Sequence, residues 1–236
     1  MTEQITFIEV NPGLGSFGFA AEKIGMLRLG PARLSMDVRQ AYVEFHGAGS
    51  DDLIDDTADL AVADLPFSLF LDGKNADPDV TDVIVSARDS VRRGGYALFR
   101  VKWDIALRLG TDVSGYVAAV SAGFPKYAVK AFIDHSAPSD AVSTCDLYIL
   151  ASPADVAFEA RPQLQPGVVT AIHPIAISEL ELADDDPQQI LGLLGFPEDF
   201  HRVTGSVPHV EDRIRESVII SRAAEVLETV ASHLRG

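Results

Sequence analysis

The sequence is short of cysteine and of positive charge, and both shortages limit what the protein can be. Cys145 is the one cysteine, which excludes an internal disulfide and a multi-cysteine zinc site. None of the six histidines has a helical metal-binding spacing, so no metal site is predicted. The 19 Lys and Arg stand against 35 Asp and Glu, a net charge of −16, so direct binding to DNA is not expected.

Long apolar runs are also missing. No stretch reaches the roughly 18 apolar residues that a membrane span requires, so no membrane contact is predicted. The first ten residues lack the basic and apolar regions of a secretory signal, and a cytoplasmic location is expected. The 236 residues are 47% hydrophobic and 23% charged, an ordinary globular composition that suits a single domain over residues 1–236.

Strand-like and helix-like segments alternate through the first half of the chain, which is typical of a parallel sheet with helices on both faces. The last two strand-like runs have no helix between them, so an antiparallel final pair is predicted. A long C-terminal helix follows, and the proline-containing segment 152–189 is expected to be irregular. Predicted strands are Ile5–Val10, Leu34–Met36, Asp59–Asp64, Tyr96–Val101, Tyr127–Ile133 and Asp146–Ala151; predicted helices are Ser16–Ile24, Val38–His46, Val80–Arg93, Asp104–Ala122, Gln188–Leu194 and Val210–Leu234.

A glycine turn follows the first predicted strand. The strand leads into Asn11-Pro12-Gly13-Leu14-Gly15 and then into a helix. Glycines let the backbone come close to a ligand, and a helix N-terminus favours a carboxylate or phosphate. The pattern therefore has two readings: a cofactor site, or a turn whose glycines serve packing alone.

Taken together, several segments resemble the DNA cytosine-C5 methyltransferases. IEVNPGLGSFGFAAEKIGM is similar to that family's S-adenosylmethionine motif, DLAVADLPFSLF lies where the family has its catalytic loop, and LLGFPEDFH is close to its Leu-x-Gly-Phe-Pro-x-x-Phe motif. The resemblance implies a Rossmann-like S-adenosylmethionine-dependent methyltransferase fold and S-adenosylmethionine as a possible cofactor. The residues it implies for cofactor binding are Glu9, Asn11, Gly13, Gly15, Asp37 (with Ser35 as the alternative) and Asp56.

The chain departs from the family at the positions that perform catalysis. The resemblance places Phe67 where the family has its nucleophilic cysteine, and Phe99 and Arg100 where it has a Glu-Asn pair that holds the cytosine. Segment 152–189 is too short for a target-recognition region. These losses imply a catalytically inactive homologue that acts as a regulatory or partner subunit, with an active methyltransferase or a second copy as its partner. Further replaced positions are Thr144 and Asp146, which stand for two base-holding arginines, and Arg215 and Glu216, which stand for a Gly-Asn pair.

One tetrapeptide supports an alternative. Asp64-Leu65-Pro66-Phe67 resembles the Asp-Pro-Pro-Tyr/Phe motif of amino-methyltransferases, in which the carboxylate accepts hydrogen bonds from an amine and the ring stacks on a base. The resemblance implies an active enzyme with another acceptor. A turn closed by proline, with a buried Phe67, explains the same residues without a ligand.

Overall fold

A computed structural model describes residues 4–33, 36–46, 57–65, 80–102, 113–139, 142–153, 191–192, 194–200, 214 and 217–235. Six strands and five helices alternate for most of this length. The strands are β1 (Thr6–Val10), β2 (Leu27–Arg33), β3 (Ala58–Asp64), β4 (Val91–Lys102), β5 (Ala128–Ser139) and β6 (Val142–Ser152). The helices are α1 (Ser16–Lys23), α2 (Met36–His46), α3 (Val80–Ser90), α4 (Val113–Gly123) and α5 (Ile220–Arg235).

The strands form one sheet in the order β2-β1-β3-β4-β6-β5. β1 pairs in parallel with β2 and β3, and β3 pairs in parallel with β4. β6 runs antiparallel to both of its neighbours, β4 and β5. The predicted fold class, a mostly parallel α/β sheet with an antiparallel final pair and a C-terminal helix, is confirmed.

Alternation along each strand divides the core between the two faces of the sheet. On one face, Phe7, Leu98 and Tyr148 belong to the hydrophobic cluster that contains residues of α1 and α5. On the other face, Phe99 and Ile149 belong to the cluster that contains residues of α3 and α4. Successive residues of β4 therefore point to opposite faces, which decides below which of them reaches the site.

The second strand lies earlier than predicted, at Leu27–Arg33 instead of Leu34–Met36. α1 ends at Lys23, Gly25 follows with a φ of +79°, and the amide of Leu27 already donates to the carbonyl of Ile5 at 2.9 Å. The sequence pattern did not predict this strand because LRLGPAR contains Gly30 and Pro31, which are uncommon in strands. An edge strand tolerates them because one side of its backbone needs no partner, and the register with β1 shifts beside both.

Two helix boundaries also differ from the prediction. α3 ends at Ser90, not Arg93, because β4 already begins at Val91. The C-terminal helix begins at Ile220, not Val210, because Ser217–Ile219 are not helical. In that segment the amide of Val218 donates to the Ser16 hydroxyl at 3.4 Å, which joins it to the start of α1.

Most of segment 152–189 lies outside the described residues, and the single-domain assignment stays a prediction. Within the part of the chain that the structure describes, no helix is both long enough and apolar enough to cross a membrane. The same residues contain no group of three or more His, Cys, Asp or Glu side chains that could hold a metal ion.

Candidate functional site

The turn between β1 and α1 has an unusual backbone. Asn11, Gly13 and Gly15 all have positive φ angles, of 54°, 55° and 80°. Glycine adopts this left-handed region without cost, and asparagine tolerates it better than most residues. The amide of Gly15 donates to the carbonyl of Pro12 at 2.8 Å, and Gly15 is the residue that precedes α1. The start of α1 is thereby placed at the carboxyl end of β1.

A buried carboxylate network lies beneath this turn. Glu9, the last residue but one of β1, is only 1% exposed. Its Oε1 accepts the amide of Gly18 at 2.8 Å, and its Oε2 contacts Arg28 Nη1 at 2.8 Å and the Tyr42 hydroxyl at 2.5 Å. Burial, together with the charge of Glu9, raises the pKa of Tyr42 well above its usual range. Glu9 therefore joins α1, β2 and α2 through partners inside the protein, and a contact of Glu9 with a cofactor stays a prediction.

A second set of charges lies where β3 and β4 end and β6 begins. The Arg100 guanidinium contacts Asp146 Oδ1 through Nε at 2.8 Å and Nη2 at 2.7 Å, and Asp64 Oδ1 through Nη1 at 3.2 Å. The side chains of Arg100 and Asp146 are 2% and 3% exposed, whereas that of Asp64 is 20% exposed. Burial alone would lower the pKa of Arg100, but Asp146 and Asp64 outweigh it and raise that pKa. These three residues are called the strand-end triad below.

The glycine turn and the strand-end triad meet at Asp64. Asn11 Nδ2 donates to the backbone carbonyl of Asp64 at 2.9 Å. A Cβ added to Gly13 would lie 3.8 Å from Asp64 Oδ2, and no other atom of the residues that the structure describes would come within 4 Å of it. Two residues predicted to bind a cofactor and one predicted to bind an acceptor thus lie side by side, as the carboxyl ends of adjacent parallel strands do.

Asp64 makes the stability of the protein depend on pH. Burial raises the pKa of this carboxyl from 3.8 to about 6, although Arg100 opposes the shift. Between these two values the folded protein binds more protons than the unfolded chain, so this group lowers stability as pH rises from 4 to 6. We expect Asp64→Asn to remove a decline of about 2 kcal/mol in the free energy of unfolding over that interval.

Chemical denaturation of the native protein and of Asp64→Asn at pH 4, 5, 6 and 7 measures this difference. Asp89→Asn, at an exposed carboxylate, controls for the loss of one negative charge. Parallel curves for the native protein and Asp64→Asn would show that Asp64 has no such role.

The structure describes only some of the remaining predicted site residues. Leu65 is buried, and its amide donates to the Arg100 carbonyl at 2.8 Å, which continues the pairing of β3 with β4. Asp37 lies in the first turn of α2, but its side chain is outside the described residues. Several further predicted positions also lie outside them, namely Ser35, Asp56, Pro66, Phe67, Arg215, Glu216 and the side chain of Thr144.

The sequence named Arg100 and Asp146 only as replaced positions, and their pairing was missed. The resemblance also placed the family's Glu at Phe99, which packs on the face of α3 and α4. Arg100, one residue further, lies on the opposite face and pairs with Asp64. The sequence did contain a signal for this pair. YALFRV and DLYILA are apolar strands, and each carries one charged residue, Arg100 or Asp146, near the end that lies at the site.

Strand order and the left-handed glycine turn after β1 together define a Rossmann-like methyltransferase fold. No protein-family model and no curated protein matches the chain. Among solved structures it is similar to the S. pombe Dnmt2 methyltransferase, with a TM-score of 0.62, 12% identity, and coverage of 98% of this chain and 99% of that one. It is also similar to the Entamoeba histolytica methyltransferase EhMeth (TM-score 0.58, 12% identity, coverage 98% and 99%).

A mutant of Spodoptera frugiperda DNMT2 gives a TM-score of 0.59 at 11% identity, with coverage of 97% of this chain and 100% of that one. At these identities the likeness shows the fold alone. The fold of the described residues is therefore similar to that of these methyltransferases.

Proposed function

We propose that this protein is a catalytically inactive relative of the DNA cytosine-C5 methyltransferases that acts as a partner subunit and still binds S-adenosylmethionine at its glycine turn. One observation carries the proposal: a buried, internally paired arginine, Arg100, stands at a position where the resemblance places a residue that holds the cytosine. Arg100 donates to two carboxylates of its own chain, so this part of the molecule is complete without a substrate.

The missing nucleophile supports the same conclusion. Methylation at cytosine C5 in this family requires a cysteine thiolate that forms a covalent intermediate. The one cysteine of the sequence, Cys145, lies in β6, opposite His135 of β5. The resemblance places the family's nucleophile at Phe67, after β3, and β4 separates β3 from β6 in the sheet. A cysteine at the required place is absent from the sequence, whatever the local geometry.

The described part of the turn fits a cofactor. Among the described residues, an added Cβ on Gly13 would meet only Asp64 Oδ2 within 4 Å, which leaves this side of the turn open to them. Gly13 would present backbone to the cofactor, and the N-terminus of α1 favours its carboxylate. A Cβ on Gly15 would lie 2.6 Å from His46 Nε2, so packing against α2 also requires glycine at that position. S-adenosylmethionine would supply an activated methyl group there. The ribose contacts assigned to Asp37 and Asp56 stay predictions.

The partner is proposed from charge. A chain with a net charge of −16 repels DNA, but its surface complements a basic DNA-binding enzyme. An active methyltransferase of the same cell is the proposed partner, and self-association is the second possibility. Light scattering of the purified protein, alone and mixed with that enzyme, separates the two.

Calorimetric titration with S-adenosylmethionine and S-adenosylhomocysteine tests the cofactor, and transfer of labelled methyl groups to DNA tests the activity. We expect saturable binding with a Kd in the micromolar range and no DNA methylation. Gly13→Val should abolish binding because a β-branched residue is strained at a φ of +55°. Gly192→Ala, whose added Cβ meets no described residue within 4 Å, is the control. Labelled cytosine in DNA would refute the proposed inactivity. The absence of binding at millimolar ligand would refute the proposed cofactor site.

Asp64 favours a second candidate, a methyltransferase that acts on an amine. Its side chain is 20% exposed beside Gly13, and a carboxylate there can accept hydrogen bonds from an amino group. This candidate expects labelled methyl transfer to a cell fraction that is lost in Asp64→Ala and retained in Asp89→Ala. If no fraction is labelled by the native protein, the candidate is wrong.

A further inference from the structure

Asn11 is the one residue other than glycine that has a positive φ within the part of the chain that the structure describes. A side chain in the left-handed region costs free energy, and such residues persist where the surroundings hold them. Here the surroundings supply one specific contact, the hydrogen bond from Asn11 Nδ2 to the Asp64 carbonyl at 2.9 Å. The strain and the contact occur at the same residue, at the junction of two strands.

From this geometry we infer that Asn11 is a positioning residue that locks the glycine turn to the end of β3, so that the cofactor side and the Asp64 side of the site are held as one unit. The inference rests on the proposed cofactor binding and adds to it. The Asn11 amide donates to the Asp64 carbonyl, and Gly13 lies beside the Asp64 carboxylate. A direct contact of Asn11 with the cofactor stays a prediction.

The direction of the hydrogen bond provides the test. The side-chain amide donates to a carbonyl, which can only accept. Asn11→Asp keeps the size of the side chain and its tolerance of positive φ, but places a carboxylate oxygen against that carbonyl. A carboxylate held against a carbonyl and near Asp64 is disfavoured, which raises the pKa of the new carboxyl. Once protonated it can donate again, so the variant should recover at low pH. Asn11→Gly keeps the backbone conformation without strain and removes the contact entirely.

Neighbouring charges must be separated from the new one. Asp64, whose pKa is about 6, and Arg100 face this position from β3 and β4, and Glu9 lies two residues before it in β1. Asn11→Gly retains all three groups and lacks only the introduced carboxyl. Any pH effect present in Asn11→Asp and absent from Asn11→Gly therefore belongs to position 11.

The experiment measures the Kd for S-adenosylhomocysteine and the melting temperature of the native protein and both variants at pH 5 and pH 8. At pH 8 we expect affinity to fall about fivefold in Asn11→Gly and more than tenfold in Asn11→Asp. At pH 5, the affinity of Asn11→Asp should rise to that of Asn11→Gly or above. A merely structural role would lower the melting temperature of both variants without this pH-dependent crossing.

Each other outcome has one meaning. If the native protein binds and both variants bind equally well, the inference is wrong and the proposed function stands. If the native protein does not bind S-adenosylhomocysteine, the proposed cofactor role fails. The positioning role of Asn11 is then tested by the melting temperatures alone. In that case, an Asn11→Asp variant that is destabilised at pH 8 and recovers at pH 5 relative to Asn11→Gly supports the lock, and equal shifts at both pH values refute it.

Discussion

Replacing Arg100 by leucine is expected to lower the free energy of unfolding by about 3 to 5 kcal/mol at pH 7. The guanidinium is 2% exposed and pairs with Asp146 and Asp64. Leucine would leave Asp146 almost fully buried without this counter-charge, and an uncompensated buried carboxylate is costly. The loss should be smaller at pH 5, because Asp64, whose pKa is about 6, is already largely protonated there and pairs less strongly with Arg100.

Urea denaturation followed by circular dichroism measures this loss. Arg88→Leu is the matched control, since Arg88 is 47% exposed and its pair with Asp89 should contribute about 0.5 kcal/mol or less. Adding Asp146→Leu to Arg100→Leu removes the orphaned charge and should cost less than the sum of the two single changes. A loss below about 1 kcal/mol for Arg100→Leu would mean that the strand-end triad does not hold the three strands together.

Gly18→Ala should lower the free energy of unfolding by about 3 kcal/mol, although alanine in a helix is ordinarily about 1 kcal/mol better than glycine. A Cβ on Gly18 would lie 1.8 Å from Arg28 Nη2 and 2.5 Å from Glu9 Oε2. Arg28 cannot withdraw freely, because it also contacts Tyr42 and Glu22. The new methyl group must therefore separate Arg28 from Glu9, which leaves the buried Glu9 carboxylate without its counter-charge.

Thermal denaturation of Gly18→Ala beside Gly192→Ala tests this directly. The two changes are chemically identical, but a Cβ on Gly192 would meet no described residue within 4 Å. Gly192→Ala should therefore be neutral or slightly stabilising. Equal melting temperatures for the two variants would show that the network under the glycine turn adapts at little cost, and that Gly18 is not required by space.

Gly18→Ala and Arg100→Leu also distinguish the two halves of the site. Gly18→Ala disturbs the network that holds α1, β2 and α2 below the turn, whereas Arg100→Leu disturbs the ends of β3, β4 and β6. If both variants fold and only Gly18→Ala fails to bind S-adenosylhomocysteine, cofactor binding is assigned to the turn. If both fail to bind it, the result supports the coupling of the turn to the end of β3 through Asn11 and Asp64.

Local pattern in the sequence determined the order and type of most elements. Neighbouring residues alone show the apolar runs of β1 and β4 and the turn Asn11–Gly15, because strand, helix and turn patterns depend on local spacing. β2 escaped this approach, since Gly30 and Pro31 interrupt its pattern and are tolerated only because tertiary pairing places the strand at an edge. The start of α5 escaped it too, since the contact of Val218 with Ser16 spans 202 positions of sequence.

For the site, the sequence alone determined that Cys145 is the one cysteine and that Phe67, which cannot form a thiolate, stands where the resemblance places the family's nucleophile. It also indicated the glycine turn, since left-handed backbone favours Gly and Asn. Only the tertiary structure decided that Arg100, not Phe99, faces the site, because that depends on which face of β4 each residue occupies. It likewise decided that Arg100 joins Asp64 to Asp146 and that Asn11 reaches Asp64, because these residues are far apart in the chain and meet only when the strands pair.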